Sequence, residues 1–154
     1  MPDLDLRAEV SEWMNLHGHY GVHRSAILGQ RCSCVNPNTN EPLAGCRRCL
    51  NTGQSYVDYI VKLDRRLITP AITADVGAGE GDEFERIRYY VGRHLPVKRD
   101  DFILEVELDP LTQEPVVPYR IRQAYRIVEP IEDMRDKGGR LEFIQVSVEY
   151  VAVR

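Results

Sequence analysis

All four cysteines of this 154-residue chain fall within eighteen residues, as Cys32 and Cys34, then Cys46 and Cys49. The pattern is C-x-C, eleven residues, C-x-x-C. Thiolates are soft ligands, and structural zinc takes four of them as two closely spaced pairs. The simplest reading is one tetrahedral zinc held by Cys32, Cys34, Cys46 and Cys49. Two disulfides, a redox-active Cys46-Arg47-Arg48-Cys49 pair and an iron–sulfur cluster are the competing readings of the same residues. The opening residues MPDLDLRAEV carry no basic start, apolar run or cleavage site, so the expectation is a reducing compartment, which disfavours disulfides. The one-residue spacer Ser33 is tighter than the usual knuckle. His17, His19 and His23 lie upstream and could replace a cysteine, although a polar turn after a helix accounts for His17 and His19.

Other chemistry is harder to find. No G-x-S-x-G occurs, and His94 stands alone beside Pro96. The carboxylate pairs Asp100-Asp101 and Glu132-Asp133 read as solvated charge at turns. Four sulfurs would close the coordination shell, whereas a catalytic zinc keeps one position open. The glycines at 77, 79 and 81 fail the phosphate-loop pattern. The expectation is therefore a protein that is not an enzyme. Net charge is −4, which argues against nonspecific binding to a phosphate backbone. The short basic pairs Arg47-Arg48, Arg65-Arg66 and Lys98-Arg99 read as solvated loop charge. No apolar run approaches the roughly 20 residues that span a bilayer.

The elements that must position the cysteines follow from periodicity. Leu6, Val10, Trp13 and Leu16 recur at helical spacing over residues 3–17, with Asp3 as cap and Gly18 and Gly21 as stops. Residues 20–28 alternate as a strand, with Arg24 an imperfection on the face of Tyr20, Val22, Ala26 and Leu28. The run from Asn36 to Pro42 is dense in turn formers and cannot bury a core; metal binding would supply the missing stabilisation. Gly45 and Gly53 would let the backbone wrap the ion. Strand-like runs follow from Tyr56 to Leu63, Leu67 to Ile72 with a break at Pro70, Phe84 to Val91, Phe102 to Leu108, Tyr119 to Val128 and Leu141 to Val153. Pro96, Pro110, Pro130 and Gly138-Gly139 mark turns, and 76–81 reads as a loop. In the last strand Ile144, Val146, Val148, Tyr150 and Ala152 face one way, while Gln145, Ser147 and Glu149 make a wet face. The fold class is mainly β: a small antiparallel barrel or sandwich with an N-terminal helix and an inserted zinc-binding loop module. The divisions are 1–30, helix and first strand; 31–53, cysteine module; and 54–154, β domain, in one compact whole.

This order of parts resembles the head–tail connector, or neck, proteins of tailed bacteriophages, of the head-closure or stopper type. Their module reads CxC, a D/N-P-x-T-x-E-P turn, then CxxCxxTG. Here it stands as Cys32-Ser33-Cys34, then Asn36-Pro37-Asn38-Thr39-Asn40-Glu41-Pro42, then Cys46-Arg47-Arg48-Cys49-Leu50-Asn51-Thr52-Gly53. The runs Arg99 to Val106, Tyr119-Arg120-Ile121, Tyr125-Arg126-Ile127 and Phe143 to Val146 resemble their later strands. Ser33 stands where proline is more usual, and Arg47-Arg48 where apolar or small residues are common. The resemblance implies a non-catalytic virion protein at the head–tail junction, made in the bacterial host cytoplasm. It implies a ring, commonly of six copies, that contacts portal or adaptor and tail proteins and retains packaged DNA without reading its sequence. The helix stripe with Trp13 is a candidate ring interface. The acidic run Glu80, Asp82, Glu83 and Glu85 faces a channel or, more simply, bulk water. The alternative is a cellular zinc-ribbon adaptor that binds nucleic acid or a polymerase. Cys46 to Gly53 also resembles one repeat of the cysteine module of DnaJ-type cochaperones, which carry several.

Overall fold

A computed structural model describes residues 6–68, 86–135 and 138–153. Helix α1 (Leu6–His17) precedes six strands: β1 (His19–Arg31), β2 (Gln54–Ile68), β3 (Arg86–Gly92), β4 (Phe102–Val106), β5 (Ile121–Arg135) and β6 (Leu141–Val151). All pairings are antiparallel, and the order β1-β2-β3-β6-β5-β4 closes on itself as a barrel. Of the two architectures open to a sequence of short alternating strands, it is the barrel that forms. The closing seam pairs Val22 with Leu104, His23 with Ile103 and Arg24 with Phe102. The expected cap Asp3, the break at Pro70, the 76–81 loop and the acidic run 80–85 lie outside the described residues. Among the described residues no helix is long and apolar enough to cross a membrane.

Two apolar layers hold the fold. The inner one fills the barrel with Val61, Leu63, Tyr89, Val91, Ile103, Tyr125, Ile127, Ile144, Val146 and Val148. The outer one lies on the opposite face of the β1–β4–β5 wall. There Val22, Phe102, Leu104, Val106 and Ala124 pack with Leu50 of the cysteine module and with Leu108, Tyr119 and Ile121. Alternate residues of β4 thus serve both layers, so its sequence FILEV is apolar almost throughout. Each fully buried Leu or Phe contributes about 1.5–3 kcal/mol of transfer free energy.

Several expectations change against this frame. Pro130 does not end a strand: β5 runs through it to Arg135, and the pairing with β6 slips between Val128 and Ile131. A bulge is where a strand tolerates a residue with no N–H to donate. Glu132 and Asp133 accordingly lie in β5 and not at a turn. Gly21 is inside β1, where a Cβ would sit 2.5 Å from Leu63 Cδ1; only Gly18 ends the helix. The wet face of β6 is not wet, because Gln145 and Ser147 are buried between neighbouring strands, opposite Tyr90 and Arg88 on one side and Glu132 and Val128 on the other. Only Glu149 and Tyr150, near the end, are exposed.

The helix docks with a narrower face than its stripe suggests. Val10 and Met14 are half-buried, whereas Leu16 is 71% exposed. Trp13 is fixed by polar contacts: its Nε1–H donates to Asp64 Oδ2 at 2.7 Å, and the Arg66 guanidinium lies 4.8 Å from its ring centroid.

Candidate metal centre

The module occupies the connection between β1 and β2, whose ends are cross-strand partners at Arg31 and Gln54. Its mouth is closed by the Cys32 N–H donating to Gly53 O at 2.9 Å. Within it, Val35 N–H donates to Cys32 O and Leu50 N–H to Cys46 O, two tight turns that swing the flanking thiols to one side. After the second pair, Leu50, Asn51 and Gly53 all take positive φ. Gly53, at φ 78°, is where the chain re-enters the barrel, and Asn51 Oδ1 accepts from Gly45 N–H across the loop. Asn36 organises the intervening turn: its N–H donates to Glu41 O, its carbonyl accepts from Asn40, and its side chain accepts from Asn38 N–H.

These turns bring Cys32, Cys34, Cys46 and Cys49 together, with all four sulfurs within 4.8 Å of one another. Cys32 Sγ is 3.9 Å from Cys46 Sγ, and Cys34 Sγ is 3.5 Å from Cys49 Sγ. A tetrahedral thiolate site with bonds of about 2.3 Å has sulfur–sulfur edges of about 3.8 Å. The two distances bracket that edge and are far from the roughly 2.05 Å of a disulfide; all four thiols are free. The donor set therefore fits a metal ion, and the Ser33 spacer is no obstacle to it. The histidines do not take part. His17 packs at a tilt against Trp13 with ring centroids 4.1 Å apart, His19 bonds Glu105, and His23 bonds Asp101.

The thiols are electrostatically unequal. Desolvation pushes Cys46 up, but N–H donors at Cys49 and Arg48, together with the Cys34 side chain, outweigh it and leave the group down at about 6. Desolvation and then the hydrogen bond with Cys46 push Cys34 up to about 12. One thiolate is thus favoured in the free cluster while its neighbour keeps its proton. Such sharing makes metal binding proton-releasing.

An arginine of β1 and a leucine of the module, neither expected from the sequence to do so, anchor the module. Arg24, the apparent imperfection of β1, is buried on the outer face and forks onto Asp58 of β2 at 2.7 and 2.8 Å. Its Nη1 also donates to Arg47 O at 2.7 Å, inside the C-x-x-C turn. Leu50 drops from the same turn into the outer apolar layer. The signal was present as an arginine at an apolar position of an alternating strand. Asp101 is not solvated turn charge: it is wholly buried and accepts from His23 Nε2–H, Ala26 N–H, Lys98 N–H and Ser25 Oγ–H.

No family model matches the chain, and no curated protein matches it in sequence.

A second polar group lies inside the barrel. Glu105 accepts from His19 Nε2 at 2.8 Å and from Tyr89 O–H at 2.6 Å. The hydrogen bond to Glu105 raises His19 from 6.5 against its own desolvation. Burial pushes Glu105 up, but the bonds from His19 and Tyr89 prevail and hold it below 4.5. A raised histidine stabilises the fold below its unfolded value and loses that contribution as pH rises through the folded value. A lowered carboxylate stabilises above its unfolded value and loses it as pH falls. The pair contributes most between about pH 4.5 and 6.5, the two unperturbed values. The urea midpoint should decline above that window, and His19→Gln should flatten the decline. A variant profile that keeps its alkaline slope would assign the slope to other groups.

Proposed function

We propose that this chain is a structural ring subunit of the phage head–tail junction, with Cys32, Cys34, Cys46 and Cys49 binding a structural zinc ion. The observation that carries the reading is a four-sulfur loop, whose sequence resembles the connector module, set into a closed antiparallel barrel. Zinc is the metal of choice because four thiolates near tetrahedral spacing suit its softness and geometry, and no redox change is needed to hold a loop. When bound, the ion would cross-link the two halves of the 32–53 connection, and the residues around it would hold the loop against the barrel.

A ring needs two different patches that fit each other, because its interfaces are heterologous. Side chains suited to this are exposed. Ile27 and Leu28 stand at the outer end of β1, and Val57, Tyr59 and Ile60 are exposed along β2, opposite Ser25, His23 and Val22 of β1. Trp13 and Leu16 stand on the helix. Since every strand is paired on both sides, neighbours would meet through such side chains and not by adding strands to a sheet edge.

Native mass spectrometry and negative-stain imaging across a concentration series test the reading, with metal analysis of the same sample. The expected result is a closed oligomer carrying one zinc per chain. A strict monomer that shifts duplex DNA at physiological salt would sink the ring and favour the zinc-ribbon adaptor.

A further inference from the structure

The inward positions at the end of the barrel next to the helix are polar, in a place that small barrels fill with apolar side chains. His19, Arg65, Tyr89, Glu105, Gln123 and Tyr125 converge there. His19, Arg65, Glu105 and Gln123 line an open hollow of about 450 Å³, and Arg122 completes its rim. The floor is rigid. Glu105 is held by His19 and Tyr89, and Gln123 Oε1 accepts from Tyr125 O–H at 2.7 Å. The Arg65 guanidinium lies 5.5 Å from the Tyr125 ring centroid. Both arginines are exposed, and among the described residues neither has a carboxylate within ion-pair distance. Polar side chains inside a barrel cost stability unless they are fully paired, and here two forked donors are left over.

We propose that this hollow is a carboxylate-binding site, which receives an acidic side chain or a chain terminus of a protein partner. Charge favours the ligand class. Two guanidiniums against one Glu105 carboxylate leave a net positive charge, which a protonated His19 increases, in a chain whose net charge is −4. That charge attracts an anion. A phosphate of about −1.5 to −2 meets more repulsion from the fixed Glu105 carboxylate than a singly charged carboxylate does. Arginine forks also match the planar, two-oxygen face of a carboxylate. The site stands apart from the cysteine module and does not depend on the ring reading.

NMR titration of the arginine Nε–H and His19 ring signals tests the proposal, at constant ionic strength with sodium chloride as balance. Acetate and a free glutamyl tripeptide are the probes, and inorganic phosphate is the comparison. The expected result is saturable shifts at Arg65, Arg122 and His19 with both carboxylates, at concentrations where phosphate moves them less. Arg65→Gln with Arg122→Gln should weaken binding about tenfold or more. Arg122→Gln alone should weaken it less, and Arg99→Gln should change nothing. Because both arginines are exposed, the variants should keep the folded Tyr89 and Val146 signals. Shifts that never saturate, tighter binding of phosphate than of acetate, or unchanged binding in the folded double variant would each overturn it.

Discussion

Cys49→Ser is expected to destabilise the whole protein by about 4 kcal/mol or more, lowering the melting temperature by roughly 10 °C. Cys49 is completely buried. The substitution removes one of four sulfurs, and structural zinc supplies on the order of 10 kcal/mol to small peptides that fold around it. The loss does not stay local, because the adjacent Leu50 covers Val22, Phe102 and Leu104, and withdrawing a buried leucine costs about 2–5 kcal/mol. Calorimetry combined with metal analysis measures the first effect. An amide spectrum measures its reach: signals of 32–53 should collapse, those of Val22 and Phe102 should shift, and those of Tyr89 and Val146 in the inner layer should persist. A strong chelator should give the same pattern in the unmutated protein. An unchanged melting temperature on full metal removal would refute the proposed structural role.

Asp101→Ala should cost about 3–5 kcal/mol, because it leaves several buried donors without an acceptor at once. The carboxylate is completely buried and is the common acceptor for His23, Ser25, Ala26 and Lys98. His23 is equally buried, its Nδ1 has no partner, and its ring lies 6.1 Å from that of Tyr59. Asp101→Asn keeps the shape and one acceptor, and should recover much of the loss. Chemical denaturation of wild type, D101A, D101N and the D101A variant carrying His23→Phe gives the partition. If D101A alone lowers the unfolding free energy by under about 1 kcal/mol, which is the range of exposed pairs, the network is not what holds the β1–β4 seam.

What was readable in the chain depended on how far each partner lay in sequence. The cysteine cluster was legible because its four groups share one chemistry and fall close together. The β class was legible from alternation, but alternation alone did not choose between barrel and sandwich; closure rests on pairing Val22 with Leu104, far along the chain. Asp101 looked like turn charge because its acceptor role is set by His23, 78 positions away. Arg24 looked like a blemish because one acceptor, Asp58, lies 34 positions away on β2 and the other sits in a loop whose path only the folded module defines. Gln145 and Ser147 looked solvated because flanking strands, not their own, shield them. Pro130 looked like a terminator because a bulge leaves no local mark other than the proline itself.

The short β1–β4 seam also has a consequence in time. Its partners are separated by nearly the whole length of strands β2 and β3 and the intervening connections, whereas β1 and β2 pair across the module alone. Non-local pairings form late, because the entropy of closing a long loop is lost before contacts compensate. During synthesis the thiols emerge well before Phe102, so on the proposed zinc reading the module would take up an ion while β1 still waits for β4. Metal capture would then precede barrel closure, and refolding from denaturant should be slower when metal is withheld until late than when it is present from the start.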